Sequence, residues 1–277
     1  MAQATTMTQV QLTIRSSGHC FAEGHHVVKG ASKTPVRFEA IWAEIDHPTQ
    51  GKILFDTGYT WRFLEATQRF PQRIYAELTK VSILPEEEAH RQVDPTQVKH
   101  IICSHIHADH VGGLRDFPDA TCWASEECLA QFDRLPNWRS WARGVLKSLF
   151  PDDWRETCQT FESAAQVSHD IMGQGHDLFS DGSVVLFPLP GHAAGQHGAL
   201  VQTTEGTVFL VADAFWDIRA VTEGLVPNPI VRVFFEDMKA YAQTLAMLKE
   251  FHAAHPDIPL VATHCPQAAK RITPHNA

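Results

Sequence analysis

The sequence predicts a layered α/β fold with a metal site at one edge, and three observations predict it. Short apolar runs of strand length alternate with amphipathic helical segments along the chain. Four groups of His and Asp each stand just past the C-terminal end of one of those runs, where layered α/β folds collect their sites. Histidine also supplies 17 of the 277 residues, although it has no strong preference for the core.

Alternating or continuous apolar residues place strands at 10–14, 36–45, 52–55 and 101–103, and again at 184–189, 199–203, 207–211 and 260–262. A helix is expected over 60–70, with Thr60 as N-cap and Pro71 behind it. The clearest helix is 237–252, where Met238, Tyr241, Leu245 and Leu248 recur at three or four residues and form one buried stripe. Segment 125–161 also reads as helical, and its Trp138, Trp141 and Trp154 either pack on a sheet or wall a substrate pocket. Without repeats or Gly/Ser/Pro linkers, 1–277 reads as one domain carrying a helical insert at 125–161.

Composition excludes several function classes. A net charge of −9 repels nucleic acid and anionic membrane over most of the surface, which leaves a small molecule as the expected partner. The first ten residues, MAQATTMTQV, lack a basic cluster followed by an apolar stretch, and no run approaches the roughly 20 apolar residues of a membrane span. A cytoplasmic address is expected. The cysteines at 20, 103, 122, 128, 158 and 265 show no CxxC spacing and read as small, mostly buried apolar residues in a reducing compartment. Oligomeric state is not encoded in any visible feature.

The chemistry concentrates directly after strand 101–103, in Ser104-His105-Ile106-His107-Ala108-Asp109-His110-Val111-Gly112-Gly113. In an extended segment His105 and His107 point to one side, because side-chain direction alternates with period two. Asp109 and His110 then leave where the chain turns into a helix. Strand 184–189 runs into Pro190-Gly191-His192, and a hairpin reversing at Glu205-Gly206 returns strand 207–211 to Ala212-Asp213 beside it. Strand 260–262 leads into Thr263-His264. Imidazole and carboxylate are donors that suit Zn²⁺ or Fe²⁺. A lone His or HxH is more often surface or satisfied core, but four clusters in register are not explained that way.

The HxHxDH run, the Pro190-Gly191-His192 turn, Ala212-Asp213, Thr263-His264 and the early Asp56-Thr57-Gly58 together resemble the metallo-β-lactamase superfamily over residues 50–265. The resemblance implies a four-layer αββα sandwich of two mixed sheets. It implies two divalent ions, zinc first with iron or manganese as alternatives. His105, His107 and His192 would hold one, Asp109, His110 and His264 the other, and Asp213 would bridge them. Asp56 either orients a ligand or simply shapes its turn. His19, His25 and His26, in a Gly-containing loop, are expected to face solvent. Relatives often carry GHxxGH, whereas here Gln196 takes the second His position and His197 is displaced by one.

The implied reaction is hydrolysis by a metal-bridging hydroxide, with Asp109 passing a proton to the leaving group and Asp213 holding the ion pair. Asp213, where true β-lactamases commonly have Cys, argues against antibiotic hydrolysis. His107, where flavo-diiron reductases have Glu, argues against oxygen reduction. The branch most similar is that of acyl-homoserine lactonases, so a lactone or small ester is expected, with Phe215 and Trp216 on the pocket wall. Trp216 stands where those lactonases place a Tyr, and an indole N–H donates a hydrogen bond but does not ionise like a phenol. The alternatives are a thioesterase or glyoxalase-type hydrolase, a mononuclear iron persulfide dioxygenase of the same fold, and a non-enzymatic regulator.

Overall fold

The computed structural model describes residues 7–271, and two six-stranded sheets form its centre. The first contains β1 (Gln11–Glu23), β2 (Pro35–His47), β3 (Gly51–Phe55), β4 (Val98–Ile102), β5 (Thr121–Ala124) and β6 (Gln159–Thr160), side by side in that order. Strands β1 to β3 pair antiparallel and β3 to β6 parallel. The second runs β12 (Leu260–Ala262), β11 (Gly206–Ala212), β10 (His197–Thr203), β9 (Val184–Pro188), β8 (Gly173–Asp177) and β7 (Ala165–His169). Only the β11–β12 pair is parallel there.

Alternation along the strands explains the layering. Ile41, Ala43, Ile45, Ile53, Phe55 and Ile102 of the first sheet join Val184, Leu186, Ala199, Val201 and Phe209 of the second in one buried core. The intervening Ala40, Trp42, Leu54 and Ile101 face the other way, into a second core with Val111, Leu149, Phe150 and Trp154. Helix Met238–Ala254 covers the second sheet, with Tyr241, Leu245, Leu248 and Phe251 buried. Asp237 caps it by accepting from the amides of Lys239 and Ala240. The four layers therefore stand in the order α, β, β, α.

Sequence and structure differ in instructive places. Strands β1 and β2 extend well past 10–14 and 36–45, because a bulge between Ser16 and His19 lets the hairpin continue with side chains re-aimed. Strands β5 to β8 have no counterpart among the predicted ones. β7 and β8, AQVSH and GQGHD, form a largely exposed edge hairpin and so lack apolar alternation. The helix at 60–70 is limited to Trp61–Ala66, and the Thr60 hydroxyl donates to Gly112 O rather than capping. Segment 125–161 breaks into helices Glu126–Arg134, Asn137–Ser140 and Trp154–Thr157 joined by short turns. Its tryptophans divide: Trp154 packs in the core, Trp141 lines a cavity, and Trp138 does neither, being 64% exposed. Among the described residues no helix is long and apolar enough to cross a membrane. The leader reading of the first ten residues falls mostly on 1–6, outside the described residues.

Candidate metal centre

The hairpin geometry read from the sequence delivers the site. β10 and β11 pair through Thr203 and Gly206, which returns Asp213 to the end where β9 releases His192. Parallel β12 sets His264 beside them, and β4 of the other sheet supplies residues 105–110 across the gap. All seven predicted side chains meet. His107, His192 and Asp213 approach through His192 Nε2, which lies 3.1 Å from His107 Nδ1 and 3.3 Å from Asp213 Oδ2. On the far side His264 Nε2 lies 3.1 Å from Asp109 Oδ2 and 3.3 Å from Asp213 Oδ2. His110 Nε2 lies 3.5 Å from Asp213 Oδ1. Donor atoms of His105, His107 and His192 fall within 4.8 Å of one another, as do those of Asp109, His110 and His264.

Backbone features hold this arrangement under strain. Asp56 (φ 63°) and Ala212 (φ 47°), neither of them glycine, adopt left-handed conformations at the ends of β3 and β11. Gly191 (φ +129°) precedes His192, and a Cβ there would lie 2.3 Å from the Tyr241 backbone. Only glycine lets that loop sit so close to the long helix.

Hydrogen bonds select the tautomers. The Ser104 amide donates to Asp56 Oδ1 and the Ser104 hydroxyl to Asp56 Oδ2, both at 2.8 Å. With its proton so committed, Ser104 Oγ accepts from His105 Nδ1 at 3.1 Å. His110 Nδ1 donates to Asp56 Oδ2 at 2.8 Å, and His264 Nδ1 donates to Glu39 O at 2.8 Å. Each leaves its Nε2 facing the centre, the arrangement by which outer partners orient metal-binding imidazoles. Asp56 thus holds the His110 ring directly and the His105 ring through Ser104, besides shaping its turn.

The donor set fits divalent cations. Among the described residues, the buried His105 Nε2, His110 Nε2 and Asp213 Oδ1 find no hydrogen-bond partner, a cost that a bound cation would remove. Burial, reinforced by neighbouring imidazoles, pushes His105 well below its usual range and His107 down to about 3, which keeps both neutral as ligands must be. Burial would also lower His110, but Asp56, Asp109 and Asp213 outweigh it and raise it to about 10. Burial opposes ionisation of Asp109, yet His110 and His264 hold it down to about 2, and the same imidazoles with His192 keep Asp213 well below the carboxylate range. Positive charge is therefore favoured at the centre, and it is the place where a cation would replace protons.

A cavity of about 580 Å³ opens onto these groups. His107, Asp109, His192, Asp213 and His264 border it, with His105 and His110 beneath them, Phe38, Tyr59, Trp141 and Trp216 wall it, and Phe21, Leu78 and Phe234 form an exposed apolar mouth. Trp216 Nε1 donates to Asp213 Oδ2 at 3.3 Å. Phe215 does not join the wall. It is fully buried in the inter-sheet core, because the turn that follows β11 sends its ring between the sheets and leaves the next residue, Trp216, half-buried at the cavity. His19, His25 and His26 are half-buried rather than solvent-facing, and His26 borders the cavity. His197 is a core residue: its Nδ1 donates to Gly195 O at 2.9 Å and it meets Phe161 edge-on. Gln131, Tyr59 and Gly144, which line the same cavity, carry no local motif that would have revealed them. Five of the six cysteines are buried, and Cys20 is half-buried at the cavity.

Comparisons with known proteins agree with this geometry. Residues 44–254 match the family model described as the metallo-beta-lactamase superfamily. The chain is 28% identical over 236 residues to a probable metallo-hydrolase of Mycobacterium tuberculosis, covering 78% of this chain and 71% of that one. It is 25% identical over 179 residues to the N-acyl homoserine lactonase AttM of Agrobacterium fabrum, covering 63% and 61%. A solved N-acyl homoserine lactone hydrolase, with N-hexanoyl-L-homoserine bound at its catalytic metal centre, superposes with a TM-score of 0.71 at 15% identity, covering 96% of this chain and 97% of that one. At that identity the likeness is one of fold.

Proposed function

As a metal-dependent hydrolase that belongs to the metallo-beta-lactamase superfamily, this chain, we propose, opens lactones or small esters carrying an apolar or aromatic group, with two divalent ions, zinc foremost, at its centre. His105, His107 and His192 would hold one ion, Asp109, His110 and His264 the other, with Asp213 shared. The observation that carries the reading is the convergence of free imidazole and carboxylate atoms on the floor of one apolar-walled cavity. The similarity to AttM, a lactonase by name, supports the ester class over other bonds.

When bound, such ions supply a hydroxide near neutral pH and an electrophilic contact for the scissile carbonyl. The remaining work belongs to the polypeptide. Asp109 lies on the cavity side of the centre and ends in an ionised carboxylate 3.1 Å from His264 Nε2, so it is placed to take the proton released by the attacking water and pass that same proton to a leaving oxygen. The indole of Trp216 fixes one Asp213 oxygen and presents its ring to the substrate. Phe38, Trp141 and Trp216 exclude water from the reacting ester, which strengthens every charge interaction there.

The test is elemental analysis of the purified protein followed by turnover of lactones, aryl esters, thioesters and a persulfide. Two ions per chain are expected, with ester turnover that disappears on chelation and falls on the order of 10³-fold in Asp213→Ala. Oxygen uptake with the persulfide would instead select the dioxygenase reading, and ester turnover indifferent to both chelation and Asp213→Ala would end the proposal.

A further inference from the structure

Away from the cavity, three donor side chains meet at the end of the segment that carries Asp109 and His110. Glu88 stands at the N-cap of helix Ala89–Gln92, His90 lies within that helix, and Asp116 closes the single turn Leu114–Asp116. His90 Nδ1 lies 3.4 Å from Asp116 Oδ2 and 3.7 Å from Glu88 Oε2, and one ligand atom from each residue falls within 4.8 Å of the others. None of the three borders the cavity. Their neighbours Ala89, Leu114 and Phe117 are buried in the second core, which fixes the backbone on both sides of the cluster.

Two of these atoms are unsatisfied. Glu88 is 3% exposed, its carboxylate caps no amide of the helix it precedes, and Oε2 finds no hydrogen-bond partner among the described residues. The same holds for the buried His90 Nδ1 that faces it. Burial and the neighbouring Asp116 charge push the Glu88 carboxyl up, against the pull of the Trp61 amide, Arg62 and Arg91. What the group lacks is positive charge at the point that all three atoms face. Arg62 does not supply it there, because it donates to the two Asp116 oxygens, each at 2.7 Å, and leaves Glu88 Oε2 without a partner. Each Asp116 oxygen keeps a second acceptor position. Ligand atoms at ordinary bond lengths from a tetrahedral zinc stand about 3.4 Å apart, close to both spacings from His90.

We propose that Glu88, His90 and Asp116 form a further binding site for one zinc-class divalent ion, structural in role and separate from the centre at the cavity. The ion would clamp helix Ala89–Gln92 to the segment that begins with Asp109 and His110. The Arg62 charge beside Asp116 weakens this site relative to the centre, so that it fills at micromolar zinc and empties during purification.

The experiment is dialysis of the native protein, Glu88→Gln and His90→Ala against micromolar zinc, followed by ion counting, thermal melting and zinc-edge anomalous diffraction from crystals of the native protein. The native chain is expected to take up one ion beyond its purified content and to gain thermal midpoint as it does, with an anomalous peak between Glu88, His90 and Asp116. Each variant should bind one ion fewer, lose that gain and keep native ester turnover. His90 is half-buried, so its variant carries the test should Glu88→Gln misfold. Equal ion content in the native protein and both variants overturns the assignment, as does uptake that needs millimolar zinc. So does an extra ion that His25→Ala removes in place of His90→Ala, because Glu23, His25 and His26 also bring donor atoms within 4.8 Å of one another. Ion counting needs no substrate, so the outcome is independent of the ester-hydrolase reading.

Discussion

At the floor of the site, His105 and His110 are held by side chains that are themselves held. Asp56 takes hydrogen bonds from the Ser104 amide, the Ser104 hydroxyl and His110, and Ser104 passes the constraint to His105. At the rim, no carboxylate among the described residues stands behind His107 or His192 in this way. His107 instead lies against Gly144, whose carbonyl accepts from the Ala108 amide, and a Cβ at Gly144 would lie 2.7 Å from His107 Cδ2. The floor is organised by proton placement and the rim by steric room. The two regions should therefore fail to different substitutions.

Asp56→Asn attacks the floor and has the larger expected effect. Asparagine tolerates the left-handed backbone there and can still accept one hydrogen bond from Ser104. It cannot accept from everything that Asp56 now serves. With an amide N–H opposite Nδ1, His110 must move its proton to Nε2, the atom that faces the centre. Affinity for the ion proposed on the Asp109, His110 and His264 side should fall about 10- to 100-fold, read as residual ion content after dialysis against graded chelator. Retention of both ions at native affinity would show that proton placement does not organise the floor.

Gly144→Ala attacks the rim. The added methyl meets His107, and φ of +71° is unfavourable for any residue with a Cβ. A loss at the low end of the same range, about tenfold, is expected, confined to the ion on the His107 side. Gly206→Ala is the matched control, since φ is +120° there but nothing lies within 4 Å of a new Cβ. It should lower the thermal midpoint without changing ion affinity. Equal affinity losses in the two variants would trace the Gly144 effect to backbone strain and not to the imidazole.

The same division explains what the sequence reveals. Residues 105–110 are legible because one strand and one turn place four candidate ligands within a few positions. His192, Asp213 and His264 are legible because each follows an apolar strand, and a hairpin needs only its turn residues to be recognised. What holds those ligands is not legible. The Asp56 to Ser104 contact spans 48 residues, and Glu39 O reaches His264 across 225. The hairpin of β7 and β8 is hidden because the edge strand β7 is largely exposed and the buried positions of β8 are Gly175 and Asp177, so neither shows an apolar pattern. Phe215 and Trp216 cannot be assigned to core or cavity until the direction of each side chain past β11 is known.

His197 sharpens the comparison from outside the site, because it is a buried histidine that neither floor nor rim employs. Its Nδ1 proton goes to Gly195 O, and burial, only partly offset by that bond, pushes it down to about 4. Between the unfolded value near 6.5 and about 4, the unfolded chain takes up a proton that the native state refuses. Stability is therefore lost as pH falls through that window, and the loss levels off below it. His197→Gln, which can still donate to Gly195 O, removes this contribution. Urea midpoints measured from pH 7.5 to 4.5 should decline less steeply than in the native protein, while ion content and ester turnover at neutral pH stay unchanged. An unaltered slope would assign the acid sensitivity elsewhere, and a loss of ions would mean that the core histidine and the floor form one network.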